Sequence, residues 1–172
     1  MPFTFTENQT QAAAIRAAVS RLGRVAVSVG VPPENDARPG PLSNSALLAL
    51  HEHGSPVNRV PPRPVLQPAL SLPETRAAME AGLLAACEAA ARGDEAAMDA
   101  ALRETGEAGA QAVKDYISSG ATAPNAPFTL AGGWSRNRVS GKPFHADPKA
   151  GSTPLVNTGA LRDAIGWKVE EK

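Results

Sequence analysis

The segment from Pro61 to Pro68 restricts the fold of this chain more than any other, because four of its eight residues are proline. Each proline ring holds φ at about −65°, removes a backbone N–H donor and restricts the residue before it. Such a run cannot form an inner strand or a helix interior. We therefore predict an extended, polyproline-like strap over residues 61–68, held by side-chain contacts rather than by a hydrogen-bond ladder.

The strap has three candidate contact surfaces. A Pro-x-x-Pro segment in polyproline form fits aromatic-lined grooves such as those of SH3 domains. Leu66 and Leu70 could instead anchor the strap on the protein's own helices, and we favour this internal interpretation. The same strap could equally reach a neighbouring subunit.

The chain before the strap combines a helix and a strand. Thr6 and Gln9 have the spacing of a capping box, and Gly23 is a suitable end for the helix that they begin. Apolar residues lie between them at helical spacing, namely Ile15, Val19 and Leu22. An amphipathic helix of about four turns is expected. Valines alternate over residues 25–29, which predicts a strand with one buried face.

Two less regular segments separate this strand from the strap. Residues 32–41 are rich in proline and predict a surface loop between two strands. The apolar run within residues 42–53 is compatible with a helix or with a buried strand. We favour a helix that turns into the strap, and we expect Glu52 to accept hydrogen bonds from the backbone of the turn at Gly54 and Ser55.

A pair of long helices is predicted after the strap. Ser71 and Glu74 form a second capping-box pattern. Gly93 and Asp94 are typical of a helix C-terminal cap followed by the next N-cap, so a second helix is expected to run antiparallel to the first as far as Gly120. The stripe of the first helix that should face the core consists of Met79, Leu83, Ala86 and Ala90.

Small residues dominate this helical pair. Gly82, Gly106 and Gly109 each lower helix stability by about 1 kcal/mol relative to alanine, so we expect them where the helices approach closely. The lone Cys87 has no partner for an internal disulfide, and we expect it to be a buried small apolar side chain.

The last third of the chain is expected to be largely irregular. Residues 120–154 are rich in glycine, proline and basic side chains, and they predict a long loop that becomes ordered on a neighbouring molecule. Residues 158–162 predict a short helical turn, with Leu161 and Ile165 inward. Residues 167–169 predict a terminal strand that pairs with the first strand.

These elements define an α+β single domain over residues 1–172. It contains a small antiparallel sheet packed with an N-terminal helix and a long antiparallel helical pair, together with a Pro-rich strap region (43–70) and the long loop (120–154).

Aromatic residues make up only 4% of the chain, so small and aliphatic side chains must form the core. Burial per residue is then low, which suits a subunit that gains stability on assembly.

Two segments of the sequence resemble a known family. The first is Glu52-His53-Gly54-Ser55 followed by Pro62-Arg63-Pro64-Val65-Leu66-Gln67-Pro68-Ala69, and the second is Pro154-Leu155-Val156-Asn157-Thr158-Gly159-Ala160-Leu161-Arg162-Asp163-Ala164-Ile165. In order and spacing they resemble the neck and tail-completion proteins of tailed bacteriophages, the virion morphogenesis family, over most of residues 43–170. Family members usually carry aromatic residues at the positions of His53 and Val65 and an arginine at that of Gln67.

The resemblance implies a structural virion protein without enzymatic activity. Such a subunit would form a homo-oligomeric ring, a hexamer in the expected case, around the DNA channel of the phage neck, where it would complete the tail and join it to the head. Its partners would be the tail tube protein and head-completion or neck proteins, and its location would be the virion, after assembly in the bacterial host cytoplasm. A tail terminator or collar protein is the alternative within this class. A soluble adaptor or binding module outside the virion is the alternative of another class.

Candidate interaction residues lie in the strap region, in the basic part of the loop and in the C-terminal motif. They are Glu52, Gly54, Pro62, Arg63, Leu66, Pro68, Arg136, Arg138, Lys142, Leu155, Thr158, Gly159, Leu161 and Arg162.

No residue pattern predicts a catalytic, cofactor or metal site. His51 and His53 lack the spacing of a helical zinc motif, and the distant His145 or Asp147 would have to supply a third ligand. The sequence contains no nucleophile elbow and no evident pair of catalytic carboxylates. No apolar stretch reaches the length of a membrane span, so no membrane partner is expected.

Charge is segregated along the chain, although it sums to zero. Residues 1–70 hold six Lys/Arg and four Asp/Glu, residues 71–119 hold four and nine, and residues 120–172 hold seven and four, which gives +2, −5 and +3. A dedicated nucleic-acid-binding protein would have a net basic footprint, so no sequence-specific nucleic acid is expected. The separation does allow head-to-tail attraction between identical subunits.

Overall fold

The computed structural model describes residues 9–57, 60–122, 124–125, 127–137, 139–149 and 159–172. In chain order, its elements are α1 (Gln9–Leu22), β1 (Val25–Gly30), a 3-10 helix (Pro33–Asn35), α2 (Asn44–His53), α3 (Leu66–Leu70), α4 (Pro73–Arg92), α5 (Glu95–Ser119), α6 (Pro127–Ala131), β2 (Gly133–Arg136), β3 (Pro143–Ala146), α7 (Ala160–Ala164) and β4 (Gly166–Glu171). The predicted α+β class is confirmed. The predicted capping box at Thr6 lies outside the described residues.

The first and last strands form the small antiparallel sheet that the sequence predicts. Val27 lies opposite Val169, and Val29 lies opposite Trp167. Arg21, at the end of α1, forms ion pairs with Asp99 of α5 at 2.7 Å and with Glu171 of β4 at 2.8 Å. The side chain of Arg21 therefore links the N-terminal helix both to α5 and to the last strand of the sheet.

A second antiparallel pair, β2 and β3, lies within the segment predicted to be a loop. Trp134 lies opposite His145, and Ser135 lies opposite Phe144. The prediction of a long irregular loop over residues 120–154 is thus wrong for its middle part. Each strand has only four residues and is bounded by glycine or proline, so aromatic cross-strand contacts rather than a long apolar run form the hairpin.

The long helices α4 and α5 are antiparallel, as predicted. Gly93 ends α4 with φ of 74° in the left-handed region, and the Asp94 side chain accepts a 2.9 Å hydrogen bond from the N–H of Ala97. Gly82 of α4 lies directly against Thr105 of α5, where an added Cβ would overlap the threonine hydroxyl. The close helix approach predicted for Gly82 is confirmed.

The other two helix glycines have their closest contacts with the sheet. A Cβ added at Gly106 would lie 2.6 Å from Cδ2 of Trp167, and one added at Gly109 would lie 2.9 Å from Cγ2 of Val29. The expectation that all three glycines serve the approach of α4 to α5 is therefore wrong for Gly106 and incomplete for Gly109. These positions allow β1 and β4 to pack closely on α5.

The described residues form two apolar clusters in the interior, and α5 contributes to both. The first joins α2, the strap, α5 and α7, and consists of Leu48, Val65, Ala69, Ala110, Val113, Ile117, Leu161 and Ile165. The second lies between α1, α4 and α5 and consists of Ala18, Ala86, Ala89, Ala90, Met98, Ala101 and Leu102. The second cluster is built largely of alanine, as the scarcity of aromatic residues suggests.

Three positions predicted to face the core are exposed instead. Val19 is 50% exposed, Leu83 is 43% exposed, and Cys87 also lies on the surface. In α1 the buried residue is Ala18. In α4 the close approach of α5 selects small side chains, so the buried residues are Thr75, Ala86, Ala89 and Ala90.

Two predictions about connecting segments also need correction. The segment 32–41 joins β1 to the helix α2 rather than to another strand, and it contains the short 3-10 helix. Ser71 does not cap α4 through its side chain, since the N-cap is Leu72. The N–H of Ser71 instead donates to the carbonyl of Gln67 at 3.0 Å, which ends α3.

Candidate interaction surfaces

The strap begins directly at the C-terminal end of α2. Gly54 ends this helix with φ of 70°, and a Cβ there would lie 2.7 Å from the carbonyl oxygen of Val60. Ser55 and Val60 exchange two backbone hydrogen bonds of 2.8 and 2.9 Å. The N–H of Arg63 donates to the carbonyl of His51 at 2.6 Å. Backbone contacts therefore hold the strap against the end of α2.

Glu52 fixes the far end of the strap. Its Oε1 accepts hydrogen bonds from the N–H groups of Val65 and Leu66, at 2.7 and 2.8 Å. The prediction of backbone donors is confirmed, but the donors do not come from Gly54 and Ser55. A carboxylate is well suited to this place because the first N–H groups of a helix have no intrahelical acceptor.

The extended part of the strap is shorter than predicted. Residues Leu66–Leu70 form the helix α3, so the prediction of extended chain is wrong over residues 66–68. Pro68 is the third residue of this helix, where a missing N–H removes no intrahelical hydrogen bond. Pro62 is exposed, whereas Leu66 and Pro68 are half-buried.

Arg63 is a buried residue of the strap, with 8% of its surface exposed. Its Nη2 donates to the carbonyl oxygen of Pro124 at 2.9 Å, which links the strap to the chain beyond α5. Val65, two residues on, packs in the same apolar cluster as Leu161 and Ile165. The strap and the described part of the C-terminal motif thus contribute to one core.

Three cationic side chains, those of Arg63, Arg38 and Lys149, lie close enough to His51 to affect its pKa. Burial lowers the pKa of His51, and the nearby cations Arg63, Arg38 and Lys149 lower it further. Burial also lowers the pKa of Lys149, with a smaller effect from Arg63. The imidazole of His51 is therefore held in its neutral form more strongly than that of an exposed histidine.

The described part of the C-terminal motif contributes the start of α7 and a buried core residue. Gly159 has φ of 77° and precedes α7, and Leu161 is buried with 5% exposure. Arg162 is half-buried, and its Nη2 lies 2.7 Å from Oδ1 of Asp163. Leu155 and Thr158 lie outside the described residues.

The hairpin β2–β3 presents aromatic and basic side chains to solvent. Trp134 is 75% exposed, and its ring meets that of His145 edge to face at 5.3 Å. Arg136 and Lys142 are exposed near the hairpin tip. Arg138 lies outside the described residues.

A large open groove of about 940 Å³ lies between α5, the 3-10 helix and the start of β4. Among the described residues that line it are four acidic ones, Glu34, Glu104, Glu107 and Asp163, and one basic one, Lys114. Ile165 and Trp167 supply an apolar part of the lining. The groove is therefore acidic with an apolar floor.

The predicted interaction residues fall into two groups. Among the described ones, Leu66 and Leu161 contribute to one apolar core, and Arg63, Gly159 and Leu161 are buried. Arg136 and Lys142 lie instead on the hairpin. Neither Trp134 nor the acidic groove is among the predicted sites, although the alternation of Trp134 and Arg136 could have indicated a strand with an exposed aromatic face.

No known protein-family model matches the chain, and no curated protein or solved structure shows significant similarity to it. Within the described part of the chain, no three His, Cys, Asp or Glu side chains are grouped so that they could hold a metal ion. Among the described helices, none is long and apolar enough to cross a membrane.

Proposed function

We propose that this protein is a structural subunit of the neck of a tailed bacteriophage, where it forms a homo-oligomeric ring that completes the tail and joins it to the head. The observation that carries the proposal is the contact between the two segments that resemble this class. Val65 of the strap packs with Leu161 and Ile165 of the C-terminal motif. Segments that are far apart in sequence thus contribute to one apolar core, which supports interpreting their two resemblances together.

The surfaces of the subunit suit assembly with further copies. The groove is lined mainly by acidic side chains, whereas the exposed cations Arg136 and Lys142 belong to the hairpin, and such complementary surfaces suit a head-to-tail contact between identical subunits. A ring of this kind works by geometry, and it needs no catalytic group.

The proposal is tested by adding the purified full-length protein to isolated phage tail tubes and imaging the mixture by negative stain. The expected result is a ring at the head-proximal end of the tubes, and class averages would give its symmetry. A protein that stays monomeric by light scattering and leaves tube ends bare would overturn the proposal and favour a soluble adaptor.

The same preparation distinguishes the roles within the neck. Tubes that end without a terminator and tubes already capped by one are compared as binding partners. A tail-completion protein is expected to bind the capped tubes, whereas a tail terminator would bind the uncapped ones and stop their elongation. Binding to neither kind of tube would overturn the neck role.

A further inference from the structure

The hairpin β2–β3 lacks the support that its size requires. A two-stranded hairpin is marginally stable in water unless another surface covers one face. Phe144 meets Phe128 of α6 edge to face at 6.5 Å, so one face is partly covered. By strand alternation, Trp134 and His145 lie on the opposite face, where Trp134 is 75% exposed. The outer face is thus left without a partner among the described residues.

The chemistry of this outer face is mainly aromatic and cationic, with one carboxylate, that of Asp147, at 3.4 Å from Nδ1 of His145. Arg136 lies two residues after Trp134 and therefore on the same face, and it pairs across the hairpin with Pro143. Lys142 lies beside the tip, where Val139 is 72% exposed. A surface that combines a large exposed aromatic ring with cations fits a concave partner that has an apolar floor and acidic walls.

The acidic groove on the same chain has this complementary character. Glu104 and Glu107 lie one turn apart on α5, and Glu34 faces them from the 3-10 helix. None of these three carboxylates forms an ion pair with a described residue. Trp167 forms part of the floor. No described residue of the hairpin lines the groove, so within one molecule the two surfaces remain apart.

We propose that the hairpin of one copy docks in the acidic groove of the next copy, with Trp134 on the apolar floor and Arg136 and Lys142 against Glu104 and Glu107. This inference rests on the proposed ring function and specifies its subunit contact. The occupant is a second copy because the chain itself supplies both complementary surfaces at separate places. A contact of this kind is heterologous, and it closes into a ring when the rotation between copies permits.

Two charge-reversal variants test the contact by sedimentation velocity. The hairpin variant carries Arg136→Glu and Lys142→Glu, and the groove variant carries Glu104→Lys and Glu107→Lys. The association constant of each variant alone should be lower than that of wild type by a factor of about ten or more, because like charges then face each other. An equimolar mixture should regain association, since every hairpin then finds a groove of opposite charge.

Matched controls separate a local effect from a change in overall charge. Arg16→Glu with Arg92→Glu reproduces the charge of the hairpin variant, and Glu80→Lys with Glu88→Lys reproduces that of the groove variant. All four side chains are exposed and lie on α1 or α4. Both controls should associate like wild type, and circular dichroism should show the same helix content in every variant.

The inference is overturned if the hairpin and groove variants associate like wild type, or if both are folded and weakened but their mixture regains nothing. Should a charge variant fail to fold, Trp134→Ala tests the same contact at an exposed position, and normal association of that variant would also overturn it. If wild-type rings cap tail tubes but these variants do so equally well, only the subunit contact is wrong. If the wild-type protein forms no rings and caps no tubes, the proposed function itself fails.

Discussion

The carboxylate of Glu52 and the backbone N–H of Val65 are joined by a 2.7 Å hydrogen bond across 13 positions of sequence. The same oxygen also accepts from the N–H of Leu66 at 2.8 Å. Hydrogen bonds to an ionised acceptor are about twice as strong as neutral ones. One side chain at the end of α2 therefore sets where the extended strap stops and where α3 begins.

Removal of this carboxylate should destabilise the protein. Glu52→Ala leaves two N–H groups without their acceptor, and we expect the free energy of unfolding to fall by about 1–3 kcal/mol. Glu52→Gln retains one acceptor oxygen and should lose less. Urea denaturation measures both, with Glu80→Ala as a control at an exposed site. Equal stability of Glu52→Ala and the control would show that the two hydrogen bonds contribute nothing.

A side chain at Gly54 should also destabilise the strap. The backbone φ of 70° is unfavourable for alanine, and the added Cβ would lie 2.7 Å from the carbonyl oxygen of Val60. Gly54→Ala should therefore lower the free energy of unfolding by about 2–3 kcal/mol. Gly30→Ala is the matched control, because no atom lies within 4 Å of its added Cβ. Similar thermal midpoints for the two variants would contradict the strain argument.

Features specified by local sequence could be predicted. Gly93 and Asp94 form a helix end and a helix start because one adopts positive φ and the other caps with its carboxylate, and neither property depends on distant residues. The alternating valines likewise predicted β1. Its pairing with the terminal strand followed because few other strands were available.

Features set by packing could not be predicted in the same way. Leu83 has the spacing of a core residue, but the close approach of α5 places small side chains inward and turns this leucine outward. The acidic groove combines α5, the 3-10 helix and β4, and no local pattern relates Glu34 to Glu107. Proline-rich sequence predicts extended chain at Pro68, because the sequence alone does not show that Glu52 binds the start of a helix there.

Loss of the buried guanidinium of Arg63 should loosen the strap. Arg63→Ala removes the donor to the carbonyl oxygen of Pro124, and we expect a loss of about 1–3 kcal/mol in the free energy of unfolding. Arg63→Met keeps much of the packing of the side chain but not its charge. If the methionine variant is as stable as wild type, packing rather than hydrogen bonding explains the burial of Arg63. Weakened ring assembly should accompany the loss of stability.

The lowered pKa of His51 predicts a loss of stability in acid. Burial and the cations Arg63, Arg38 and Lys149 lower the pKa of His51 from its ordinary value of 6.5. As the pH falls below about 6.5, the unfolded chain binds a proton at His51 before the folded protein does, so stability decreases until the folded pKa is passed. His51→Gln should remove this part of the pH dependence. Urea denaturation at several pH values measures it, and His53→Gln, at an exposed position, should leave it unchanged.

The buried position of Leu161 predicts that Leu161→Asp abolishes assembly by destabilising the fold. The leucine side chain is 5% exposed and packs with Val65 and Ile165. Its replacement removes apolar contacts and buries a carboxylate, so the free energy of unfolding should fall by about 3–5 kcal/mol.

Ala160→Asp places the same charge on the exposed neighbouring position and should preserve both folding and ring formation. Leu161→Met conserves volume and should lose less than about 1.5 kcal/mol. Circular dichroism and light scattering on the three variants decide the matter. A Leu161→Asp variant that is folded like wild type but forms no rings would assign Leu161 to a subunit contact instead of the core.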